Sequence, residues 1–77
     1  MNFDETDIVS ALLDFNIVDS EEDAIDLCAD IQGAVFANDQ NEVSAGIYDY
    51  MTSVYGESVT ENTCDQMAER VLAELYQ

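Results

Sequence analysis

The chain predicts an all-α fold, a compact bundle of about four short amphipathic helices. Three observations predict it. Apolar residues recur at helical spacing in four separate stretches, each bounded by residues that favour turns or caps. There is no proline and only three glycines, which suits helices joined by short connections. No segment alternates apolar and polar residues long enough to read as a strand.

The first helix is expected from Thr6, as its cap, to about Phe15. Ile8, Ala11, Leu12 and Phe15 share one face, widened by Val9 and Leu13, while Asp7 and Asp14 fall on the far side. Asn16–Asp19 connects it to the second helix, with Ile17 or Val18 placed to pack over the next helix start as a hydrophobic staple. The second helix follows Ser20, with Asp23 three residues on as in a capping box and acids in the first turn where the helix dipole favours them. Ala24, Ile25, Leu27, Cys28, Ile31, Ala34 and Val35 form its apolar face. Gly33 lowers helix propensity there and suggests a close packing contact.

Asn38-Asp39-Gln40-Asn41 is the clearest turn. A third helix from about Asn41 to Tyr55 carries Val43, Ile47, Tyr50, Met51 and Val54 as its core stripe. It stops at Gly56, suited to the left-handed residue after a helix end. Tyr48 and Tyr55, seven residues apart, share an azimuth at the edge of that stripe. Ser58 with Glu61, or Thr60 alone, caps a fourth helix to about Leu75. Its buried side is Cys64, Met67, Ala68, Val71, Leu72 and Leu75.

Seventy-seven residues make one domain, residues 1–77, with a small core. Leu, Ile, Val and Phe total 20 residues, enough to argue against full disorder. No apolar run approaches the roughly 20 residues of a membrane span, and the N-terminus lacks the basic and apolar regions of a signal peptide. The expected location is the cytoplasm, that of the host cell if the protein is phage-encoded.

Charge is the dominant feature. Eighteen acids stand against one base, Arg70, for a net charge of −17, with no lysine or histidine. With almost nothing to pair with phosphates, direct nucleic-acid binding is excluded. A strongly basic partner is the natural complement, either a nucleic-acid-binding protein or a ribonucleoprotein complex. Solubility alone is served by a net charge of about 2–8 in magnitude, far short of this. A salt-loving host is the other explanation of such a surface, making the chain a halophile-type acidic interaction domain.

Catalysis is not expected. Acid/base chemistry needs two carboxyl groups in contrasting environments within a cleft, whereas these acids lie on outward faces. Without histidine, and with two well-separated cysteines, there is no zinc signature and no Ser-His or Cys-His pair. An EF-hand loop needs glycine at its sixth position. A loop started from Asp19 places Ala24 there, and one from Asp39 places Ser44, so no metal site or cofactor is indicated. Cys28 and Cys64 read as small buried apolar side chains, with acids around them that disfavour a thiolate. A disulfide between helices two and four is a second possibility.

Two rows of acids stand at i, i+4 and i+8: Glu22, Asp26 and Asp30 on the second helix, and Glu61, Asp65 and Glu69 on the fourth, with Glu57 just before the latter. Within each row the attachment points are roughly 6 Å apart along the axis, close to the separation of neighbouring phosphates on one nucleic-acid strand. Like charges at this spacing destabilise a helix by about 0.2–0.5 kcal/mol per pair, yet two helices keep them. Tyr48 and Tyr55 are the candidate apolar anchors beside the charge, since tyrosine is favoured at interface hot spots. Completing the core of a small bundle is the equal alternative for each.

In size, charge and acidic rows the whole chain resembles the small acidic, phage-encoded DNA-mimic inhibitors of the anti-CRISPR and anti-restriction type. That resemblance implies a stoichiometric inhibitor that blocks a nucleic-acid-binding surface on a bacterial defence complex. A more local similarity links SEEDAIDL at Ser20–Leu27 and GIYDY at Gly46–Tyr50 to the colicin DNase immunity proteins, also acidic four-helix proteins. It implies toxin-contacting roles for Glu21, Glu22, Asp26, Tyr48 and Tyr50. Here Asp49 separates the tyrosines, no proline follows them, and the third helix is longer than that family's. Asp19-Ser20 is similar to the phosphopantetheine site of acyl carrier proteins, but Glu21 replaces the apolar residue expected next and the serine comes after only one short helix.

Overall fold

A computed structural model describes residues 3–56 and 58–76. Four α-helices account for most of it: α1 (Glu5–Asp14), α2 (Glu21–Phe36), α3 (Gln40–Tyr50) and α4 (Glu61–Leu75). A π-helical turn, Met51–Tyr55, prolongs α3. The described residues contain no strand.

Every α-helix begins on a side-chain cap. Asp4, rather than Thr6, caps α1 and completes a capping box with Asp7. Ser20, Asp39 and Thr60 cap α2, α3 and α4 by accepting the backbone N–H three residues on. Each satisfies a donor that the helix start would leave orphaned. Thr60 therefore takes the role, and Ser58 with Glu61 forms no box.

The first two helices end alike. Asn16 and Asn38 adopt left-handed φ values of 56° and 53°. Asn16 and Ile17 donate backwards to Leu13 and Leu12, and Asn38 and Asp39 donate to Val35 and Ala34. These are Schellman pairs with asparagine in the position glycine usually holds. Asp39 ends one helix and caps the next, so the connection is shorter than the four-residue turn expected. Gly56, at φ 62°, ends the π turn.

Successive helices pack side by side and α1 closes against α4, so α3 lies between α2 and α4. One core fills the centre, with Ile8, Leu12, Leu27, Ile31, Val35, Val43, Ile47, Cys64 and Val71 buried. Ile17 and Val18 are buried in it too. Gly46 is the close contact: a Cβ there would stand 2.5 Å from Ile31 Cγ2. Gly33, expected in that role, has nothing within 4 Å. At the ends of the chain Phe3 stacks on Phe36 and meets the edge of Tyr76. The Tyr76 hydroxyl donates to the Val35 carbonyl at 2.6 Å, adding to the Asn38 N–H already bound there, and reaches the Phe36 carbonyl at 3.2 Å.

Two expected core residues lie outside it. Ile25 is 52 % exposed because it sits on the α1-facing flank of α2, in a shallow groove with Glu5, Thr6, Val9 and Glu21. Val54 is 51 % exposed because the π turn winds more loosely than an α-helix and carries it off the stripe. A local cause is Thr52, whose hydroxyl donates to the carbonyls of Tyr48 and Asp49 and so competes with the α-helical amide bonds there. No helix of the described residues is long and apolar enough to cross a membrane.

Candidate interaction face

The acids divide by what they do for the fold. Asp4, Asp7 and Asp39 cap helices. Asp23 accepts the Tyr55 hydroxyl at 2.6 Å, while its carbonyl accepts the Tyr50 hydroxyl at 3.2 Å. The row acids hold nothing. Glu22, Asp26 and Asp30 on α2 are all exposed, as are Glu61, Asp65 and Glu69 on α4. Among the described residues none of these six carboxylates has a hydrogen-bond partner. Glu57 lies outside the described residues.

Helical geometry decides where the rows lead. An α-helix turns about 100° per residue, so a step of four advances the azimuth by about 40° and the row spirals around its helix. On α2 the spiral drifts toward α3: Asp26 and Asp30, with Asp23, lie near enough to Tyr50 to raise its hydroxyl pKa, behind the larger effect of burial. On α4 the spiral begins beside α3, with Glu61 and Asp65 bordering a groove between the two helices, and Glu69 turns outward. The rows therefore flank α3 from either side. Glu42 and Asp49, exposed on α3 itself, fall seven residues and hence almost two full turns apart, on the side opposite Val43 and Ile47. They join the two rows into one broad acidic face. The sequence carried that signal, since both positions avoid the apolar stripe.

The two candidate anchors part company. Tyr48 is half-buried in the α3–α4 groove beside Glu61 and Asp65. Tyr55 is swung by the π turn toward the start of α2, where it meets Tyr50 edge-on with ring centroids 6.2 Å apart and hydrogen-bonds Asp23. That bond to a carboxylate, with burial second, pushes the Tyr55 hydroxyl up to about 12. Tyr50 is only 6 % exposed and belongs to the core.

Both cysteines are free and buried. Burial first, then Glu5 beside Cys28 and Asp65 and Glu61 near Cys64, pushes both thiols up, away from the reactive thiolate. Among the described residues no group of three or more histidine, cysteine or acidic side chains is arranged to hold a metal ion. Compared with known protein families, curated proteins and solved structures, the chain finds no match.

Proposed function

We propose that the protein is a non-catalytic inhibitor whose carboxylate rows imitate nucleic-acid phosphates and occupy a basic nucleic-acid-binding surface of its partner. The observation that carries this reading is the pair of rows flanking α3, exposed and unpartnered, in a chain with a single cation. Four acids elsewhere, Asp4, Asp7, Asp39 and Asp23, serve in caps or in the Tyr55 contact; the row acids face outward and cost the fold stability. Four like-charged i, i+4 pairs together oppose folding by about 1–2 kcal/mol, a real fraction of the roughly 4–12 kcal/mol expected for a chain of this length. A surface held at that cost is explained by what it binds.

The mechanism is competition. Lysines and arginines that hold phosphates accept the carboxylates instead, and electrostatic steering makes association fast and steeply salt-dependent. A bacterial defence complex that grips DNA or RNA has the required chemistry. A nuclease toxin is a weaker fit, since Tyr50, one of the contacts that the immunity-protein similarity implies, is in the core.

The test is capture of the partner from nuclease-treated bacterial lysate with three baits: the native chain, E22Q/D26N/D30N, and E61Q/D65N/E69Q. The native bait is expected to retain a basic nucleic-acid-binding complex, and each triple change to weaken retention by tenfold or more, on the scale of desolvated charge pairs. Folding stability should stay within about 1 kcal/mol, since relief of like-charge repulsion offsets lost dipole interactions. Undiminished retention by both variants would remove the rows from the interface.

A further inference from the structure

The α3–α4 groove holds more than charge. It is an open groove of about 420 Å³ lined by Asn41, Ser44, Tyr48, Asp49, Glu61 and Asp65, with Ala45 completing it. Ser44, 7 % exposed, is the buried residue with a non-aromatic polar side chain among those described. Its hydroxyl has no hydrogen-bond partner among the described residues. Every fully enclosed side-chain nitrogen or oxygen among them does have one, so the Ser44 oxygen must reach open space, and the space beside it is this groove. A half-buried tyrosine, three exposed carboxylates and a buried hydroxyl are thus brought to one place by two helices.

We propose that this groove receives an arginine side chain of the partner. The proposal rests on reading the acidic face as a docking surface for a basic protein, and it names the contact at its centre. A guanidinium is planar, stacks on aromatic rings and presents five N–H donors in a rigid fork. Stacked on Tyr48, it faces Asp49, Glu61 and Asp65 with the fork and gives one N–H to the Ser44 oxygen. A lysine ammonium is a compact, strongly hydrated point charge that neither stacks as a plane nor bridges carboxylates as a fork. The groove therefore discriminates between two cations that the exposed rows treat alike.

The experiment is a titration of the folded protein with acetyl-Gly-Arg-Gly-amide and, separately, acetyl-Gly-Lys-Gly-amide, followed by amide NMR shifts. The arginine peptide is expected to bind about threefold to fivefold more tightly, as one stacked cation contributes at a partly exposed site. Shifts should concentrate at Ser44, Tyr48 and Glu61. Y48L and S44A should each reduce the arginine preference, and Y48F should keep it. Circular dichroism of each variant separates lost binding from lost fold. Equal affinity for the two peptides, or shifts spread evenly over both rows, would overturn the proposal. Such a result would leave the mimicry reading standing if nucleic acid still displaces the partner; loss of that displacement would sink the mimicry reading instead.

Discussion

Tyr55 joins two distant parts of the chain through one hydroxyl, bound to Asp23 at 2.6 Å. Tyr55→Phe is expected to destabilise the fold by about 1 kcal/mol, the usual net worth of such a bond, measurable by urea unfolding. The same bond fixes a pH dependence. The folded-state pKa, about 12, lies above the ordinary value of 10.0, so the contribution is complete below pH 10 and is lost as pH rises toward 12. An alkaline fall in stability over that window should therefore shrink in Y55F. Two glycines give an opposed pair. Gly46→Ala forces a methyl against Ile31, a β-branched side chain with little freedom to move, and overpacking of about 1–3 kcal/mol outweighs the gain in helix propensity. Gly33→Ala meets open space and is expected to stabilise by about 0.5–1 kcal/mol. Denaturant midpoints moving in opposite directions would check both.

At the scale of elements, four helices and most of their limits were legible because caps and apolar periodicity are local signals. Ser20 and Thr60 stand where their helices begin. Asp4 was hidden because Thr6 is an equally good capping residue, and only the reciprocal bond to Asp7 decides between them. The π turn was not legible. Thr52 is an ordinary helix-surface residue until its hydroxyl takes the carbonyls of Tyr48 and Asp49. Assuming 3.6 residues per turn through that point placed Val54 inside and aligned Tyr55 with Tyr48, whereas the wider turn exposes Val54 and gives Tyr55 to α2. Ile25 was misplaced for a different reason: it sits on the flank facing α1, and the short α1 leaves a groove there instead of covering it. The Tyr76 contact is tertiary and has no sequence signature. It is also a helix-end device, and Tyr76→Phe, which removes a bond from the Phe36 carbonyl and one of two from the Val35 carbonyl, is expected to lower stability by about 0.5–1 kcal/mol in thermal or denaturant unfolding.

The acidic rows were legible residue by residue, but their convergence on α3 needed the packing order of the helices. Taken whole, the molecule measures 33 × 24 × 18 Å. At 0.01 M ionic strength the Debye length, about 30 Å, spans it, so nearly all of its −17 charge repels itself; at 0.1 M the length falls to about 10 Å and only near neighbours do. The melting temperature should therefore climb steeply between 10 and about 150 mM sodium chloride and level off beyond. Circular dichroism that develops only in molar salt would instead mark a halophile-type surface with no partner to bind. Mimicry itself is tested most directly by equilibrium competition on the captured partner, with the protein and a duplex or single-stranded nucleic acid added against each other. The account predicts mutual exclusion: excess nucleic acid releases the protein, and E22Q/D26N/D30N is released at a lower nucleic-acid concentration. A ternary complex in which nucleic acid and the protein sit on the partner together would contradict it.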